Sequence, residues 1–129
     1  MTHGFGMKRF TALLLAASLL VAAGCGGSEA RKEKSLEKGQ EFLAERDYAK
    51  ARVEFRNALQ IDPKNAGARA MLGEAAENLG DYEEAVRSYR QALELDPGQV
   101  RARARLGRIM VFSGVPDQAL ELVEPVERG

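Results

Sequence analysis

Residues 66–99 read AGARAMLGEAAENLGDYEEAVRSYRQALELDPGQ, and this stretch decides the fold. Leu72, Ala75, Ala76 and Leu79 fall at i, i+3, i+4 and i+7, the spacing that lines one face of an α-helix. Tyr82, Ala85, Val86, Tyr89, Ala92 and Leu93 form a second such stripe. Between the stripes, Gly80-Asp81 supplies a tight turn, with Asp81 placed to cap the second helix. Asp96-Pro97 ends that helix, because proline disfavours helical backbone at the residue before it. The stretch therefore predicts two amphipathic helices facing each other. Gly73 and Ala85 are small where the pair approaches closely, and Tyr89 fills the space beside them.

The same design stands one period upstream, where residues 32–65 align with 66–99 at an offset of 34. Nine positions are identical: Gly39/Gly73, Asp47/Asp81, Tyr48/Tyr82, Ala51/Ala85, Arg56/Arg90, Ala58/Ala92, Leu59/Leu93, Asp62/Asp96 and Pro63/Pro97. Chance would give roughly two at this composition. Phe55 takes the place of Tyr89 in the first copy, and a third copy keeps Leu106, Gly107, Gly114 and Ala119. Helices are predicted near 32–45, 48–61, 66–79, 82–95, 100–113 and 117–124, with no run that reads as strand. The period and the residues at these places resemble the tetratricopeptide repeat (TPR) family. That resemblance implies an all-α fold, a short right-handed α-solenoid of helix-turn-helix repeats at 32–65, 66–99 and an incomplete 100–129. A plain helical bundle is the alternative. The array stops inside its third repeat and Pro125 interrupts the last helix, so either it is part of a longer array or its open end meets a partner or a second copy.

Working outward to the start of the chain, Met7-Lys8-Arg9 is a positive segment, and Phe10 to Ala23 is dominated by Leu and Ala with only Thr11 and Ser18 polar. This predicts an export signal over residues 1–24. The stretch is shorter than the roughly 20 apolar residues a membrane span needs. It ends Val21-Ala22-Ala23-Gly24-Cys25, which resembles the lipobox of bacterial lipoprotein precursors, although Ala22 stands where Leu is commonest. The resemblance implies cleavage before Cys25, lipidation of its thiol, and anchoring at about 0.8 kcal/mol per buried methylene. Gly26 in place of Asp then favours the outer membrane, facing the periplasm. The alternative is an ordinary signal-peptidase I site, Cys25 being incidental and the mature protein soluble in the periplasm. Residues 25–31, Cys25 followed by Gly-Gly-Ser-Glu-Ala-Arg, read as a flexible tether.

Composition removes whole classes of chemistry. Lys8 and Arg9 are the only charges before Cys25, which leaves 17 basic against 19 acidic residues, unlike a nucleic-acid binder. Cys25 is the single cysteine, so no internal disulfide is expected, and the single histidine, His3, lies at the extreme N-terminus, so neither a His-based catalytic triad nor a His/Cys metal cluster is expected. No Gly-rich phosphate loop stands in the chain either. No enzyme activity, cofactor or metal is expected, only a covalent lipid on Cys25.

In TPR domains the first helix of each pair lines a groove for a protein partner. The matching positions here are Leu36, Gln40 and Leu43, then Met71, Glu74, Glu77 and Asn78, then Arg101, Arg105, Arg108 and Phe112. Arg101, Arg105 and Arg108 make one basic stripe that could grip carboxylates, or could simply pair with Glu74 and Glu77 next door. Some chaperone-binding members use a clamp of Lys and Asn from the first two repeats. Leu36, Gln40 and Met71 stand in those places, which argues against chaperone tails. The stretch from Tyr48 to Pro63, YAKARVEFRNALQIDP, is similar to the opening repeat of TPR lipoproteins found with exosortase (PEP-CTERM) and exopolysaccharide systems. Pilotin-like TPR lipoproteins of the type IV pilus secretin combine the same two features and are the second candidate.

Overall fold

The computed structural model describes residues 26–114, and these form five helices with no strand among them. The helices are α1 (26–44), α2 (Tyr48–Ile61), α3 (Ala66–Asn78), α4 (Tyr82–Leu95) and α5 (Val100–Phe112). Each of the last four follows the predicted bounds to within one residue. The sixth predicted helix, 117–124, lies outside the described residues, as do the signal segment and Cys25. The chain divides after Arg31 into two compact units, and the repeats occupy the second. Helix α1 differs from expectation at its start: residues 26–31, read as a tether, are helical. Most of them are exposed, so no buried stripe announced the helix.

The 34-residue period is visible in the backbone. Arg46, Gly80 and Gly114 each have positive φ, at 61°, 79° and 77°, and they stand one period apart. At the first two, the chain closes the helix with paired backbone bonds. Arg46 donates to the Leu43 carbonyl and Asp47 to that of Phe42; Gly80 donates to Glu77 and Asp81 to Ala76. The same aspartates then start the next helix. Asp47 accepts from the Lys50 amide at 3.3 Å, and Asp81 from the Glu84 amide at 3.1 Å. One residue thus ends one helix and caps its partner, which fixes the hairpin angle.

The core is built of two clusters that meet on α3. Phe55, Ala51, Leu59, Ala68, Leu72 and Ala75 form the first, with Leu36, Phe42, Leu43 and Met71 packed against it. Tyr89, Ala85, Ala92, Ala76, Ala102, Leu106, Ile109 and Met110 form the second. The two small residues expected at close approach have a direct cause. A Cβ built on Gly39 would lie 2.5 Å from the Phe55 ring, and one on Gly73 would lie 2.6 Å from the Tyr89 ring. Gly107 and Ala58 are buried as well. Helices α2, α3, α4 and α5 pack each on the next, and α3 also touches α5, so first helices meet first helices across the repeat boundary.

Two residues depart from the predicted stripes. Tyr82, the first residue of α4, is 57% exposed. Leu79, expected inside α3, is its C-cap and is partly exposed. Tyr48, Pro63 and Pro97 hold their places at helix ends, and Ala119 lies outside the described residues.

Candidate partner groove

Helices α1, α3 and α5 carry the eleven positions expected to line the groove, and the structure gives them two different characters. Between α1 and α3 the surface is apolar: Leu36, Leu43 and Met71 pack on the first core cluster, and Gln40 donates through Nε2 to the Met71 sulfur at 3.7 Å. Between α3 and α5 it is a charge network. Arg105 reaches Glu74 at 2.8 Å through Nη2 and Glu77 at 3.0 Å through Nη1. Arg108 pairs with the second oxygen of Glu77, and Arg101 approaches Glu74 at 3.6 Å. Under these, a hollow of about 140 Å³ is lined by Ala70, Met71, Glu74, Arg101 and Arg105 among others. Asn78 donates to the Glu74 backbone carbonyl of its own helix, which uses one of its amide hydrogens. Phe112 is 85% exposed at the end of α5.

The arginine stripe is therefore not a free cationic surface. Glu74 and Glu77 neutralise much of it, and they do so from beneath: the Glu77 side chain is 12% exposed, whereas that of Arg101 is 81% exposed. Solvent meets guanidinium groups, with the carboxylates below them. Exposed pairs of this kind contribute little by themselves, so most of the network's worth rests on the less exposed Arg105 and Glu77.

The deepest partner in this network was not visible from the sequence. Tyr89, read only as a core filler, donates its hydroxyl to Glu77 Oε2 at 2.7 Å. Burial, and then the neighbouring Glu77 carboxylate, push the Tyr89 hydroxyl well above its ordinary pKa. Burial alone would raise Glu77, but hydrogen bonds from Tyr89, Arg108 and Arg105 outweigh it and leave the carboxyl below its ordinary value. Arg105 likewise resists burial through Glu77 and Glu74 and is held above its ordinary value. One period earlier, Leu43, Phe55 and Met71 occupy the positions of Glu77, Tyr89 and Arg105. The hydroxyl, its acceptor and that acceptor's cation are absent together. The polar set and the apolar set are alternative ways to fill one junction.

No group of His, Cys, Asp and Glu among the described residues is placed to hold a metal ion. Glu84, which no motif singled out, is buried on α4 and bound by Arg56 and Arg52 of α2. Its counterpart one period back is the exposed Lys50, so the repeat pattern gave no warning of it.

With this geometry in place, comparison with known proteins decides the family. Residues 36–100 match the tetratricopeptide repeat family, and residues 79–128 match it again. The chain belongs to the tetratricopeptide repeat family. Among solved structures, it is similar to the second TPR domain of Spaghetti (RPAP3) bound to an HSP90 peptide, at 26% identity over 77% of this chain and 94% of that one, with a TM-score of 0.70. It is also similar to the Sgt2 TPR domain from Aspergillus fumigatus, at 26% identity, covering 70% of this chain and 60% of that one, with a TM-score of 0.65. A third similarity, to a Thermobaculum terrenum O-GlcNAc transferase mutant, has 28% identity and a TM-score of 0.65 but covers 77% of this chain and only 20% of the transferase. No curated protein matches by sequence. TPR domains mediate protein–protein interaction and are in general not catalytic.

Proposed function

We propose that this TPR protein is a membrane-anchored scaffold that holds a partner protein in the bacterial cell envelope and catalyses nothing itself. The observation that carries the proposal is the row of α1, α3 and α5, where an apolar strip of Leu36, Leu43 and Met71 runs into the charge network of α3 and α5. An extended segment laid across this row would meet apolar surface first and guanidinium groups second. The RPAP3 domain, whose structure contains a bound peptide, supports peptide holding as a use of this fold. It does not carry over its ligand, since Leu36, Gln40 and Met71 stand where a chaperone-tail clamp has Lys and Asn.

The anchor in this reading is a lipid on Cys25, on the strength of the Ala22-Ala23-Gly24-Cys25 ending after an apolar signal segment. Gly26 favours the outer membrane, with the repeats in the periplasm. The similarity of Tyr48–Pro63 to exosortase-associated lipoproteins supports a role for the scaffold in exopolysaccharide or PEP-CTERM protein export. Incorporation of labelled palmitate into wild type and into Cys25→Ser tests the anchor: label in the first alone is expected, and label in both or in neither contradicts it. Crosslinked recovery of a partner from membranes tests the row. Gln40→Lys with Met71→Glu should reduce recovery several-fold, and undiminished recovery would count against the groove.

A further inference from the structure

A second hollow, of about 390 Å³, lies where α2, α3 and α4 meet. It shares no residue with the hollow between α3 and α5. At about 100° per residue, Arg69 and Leu72 project from α3 on the side largely opposite Ala70, Met71 and Glu74. The floor includes Leu59 and Leu72, both buried, and the rim carries Arg56, Arg69, Arg87, Gln60 and Gln91.

The charges of this hollow do not balance. Its one carboxylate, Glu84, is already held at both oxygens: Arg56 donates to Oε1, through Nε at 3.1 Å, and Arg52 approaches Oε2 at 3.4 Å. Arg69 meets only neutral acceptors. It donates to Gln91 Oε1 at 3.0 Å and to the Pro63 carbonyl at 3.3 Å, while its Nε is buried with no acceptor at all. The nearest carboxylate to Arg87 is that of Glu83, at 3.6 Å and 91% exposed, a pair of the kind that contributes little. Two guanidinium charges therefore face the hollow without a buried counter-charge. Because Gln91 accepts through its oxygen, its NH₂ is left as a further donor.

A hollow rich in donors, short of acceptors and floored by leucine fits a carboxylate on an aliphatic stem. A guanidinium receives such a group through two parallel hydrogen bonds, and a partly desolvated cation gains most from an anionic partner. Inorganic phosphate would satisfy the donors but gain nothing from Leu59 and Leu72. We infer that this outer hollow seats an acidic side chain of a partner protein, giving the scaffold a second docking point independent of the groove. Arg69 and Gln91 position the carboxylate and Arg87 closes over it.

The test titrates the full chain at low ionic strength with a blocked Ala-Leu-Glu-Glu-Leu-Ala peptide, read by backbone amide chemical shifts. Shifts are expected at Leu72, Ser88 and Gln91. Arg87→Gln should weaken binding roughly tenfold, the loss of one charge-assisted hydrogen bond. Arg101→Gln, in the groove, should leave it unchanged. Arg87 makes only the one exposed pair, so its variant keeps the fold, which a thermal melt verifies. Saturable shifts whose affinity falls about tenfold in Arg87→Gln support the assignment. Unchanged affinity in Arg87→Gln, shifts centred on Ala70 and Arg105, no saturable binding, or displacement by equimolar phosphate would each overturn it.

Discussion

Replacing Glu77, Tyr89 and Arg105 together by Leu, Phe and Met should cost far less stability than the three single changes added up. Glu77 accepts from Tyr89 at 2.7 Å and from Arg105 at 3.0 Å, and its side chain is 12% exposed. Glu77→Leu alone leaves a buried hydroxyl and a part-buried guanidinium without their acceptor, a loss of about 2–3 kcal/mol after discounting for the solvent that reaches Arg105. Tyr89→Phe removes one charge-assisted bond, about 1–2 kcal/mol. Arg105→Met leaves Glu77 with Tyr89 and Arg108, at a cost of about 1–2 kcal/mol. The singles sum to about 4–7 kcal/mol. The triple variant instead installs the set found at Leu43, Phe55 and Met71; it releases only the half-exposed Arg108 and leaves Glu74 to Arg101, and it should lie within about 1–2 kcal/mol of wild type. Urea unfolding followed by circular dichroism gives each value, and the thermodynamic cycle gives the coupling. A triple variant as unstable as the summed singles would refute the claim that these residues act as a unit.

Two further outcomes follow from the same geometry. Gly73→Ala puts a Cβ within 2.6 Å of the fully buried Tyr89 ring, so α3 and α4 must separate; a loss of about 1–3 kcal/mol in urea unfolding is expected, and a neutral result would contradict the close approach. The folded-state pKa of Glu77 lies below its unfolded value, so its contribution is complete above the ordinary carboxylate range and is lost as pH falls through that range to the folded value. Between pH 7 and pH 3 wild type should therefore lose more stability than the triple variant, and equal losses would show that Glu77 is not the group responsible.

The helix ends and the close approaches were legible because they belong to backbone geometry, which a 34-residue period repeats. Gly39 and Gly73 sit under Phe55 and Tyr89, and Gly80-Asp81 turns the chain where its sequence says it should. The helix at 26–31 escaped because Gly26 and Gly27 are poor helix formers and its exposed residues have no apolar stripe to betray it. Groove positions could be carried over from the family, but their chemistry could not. Whether Arg105 is free or bound depends on which carboxylate α3 brings beneath it, and that is a contact between residues some 30 apart in sequence. Glu84 shows the same limit, since its position is exposed in one repeat and buried in the next.

The central claim is that the row of α1, α3 and α5 is the surface that holds a partner. A photo-crosslinking residue placed singly at Gln40 and at Lys38, which is exposed about 160° away around the same helix α1, tests it in the producing cell. A discrete adduct from position 40, with none from position 38, is the predicted result. An adduct from position 38 alone, or equal adducts from both, would contradict it.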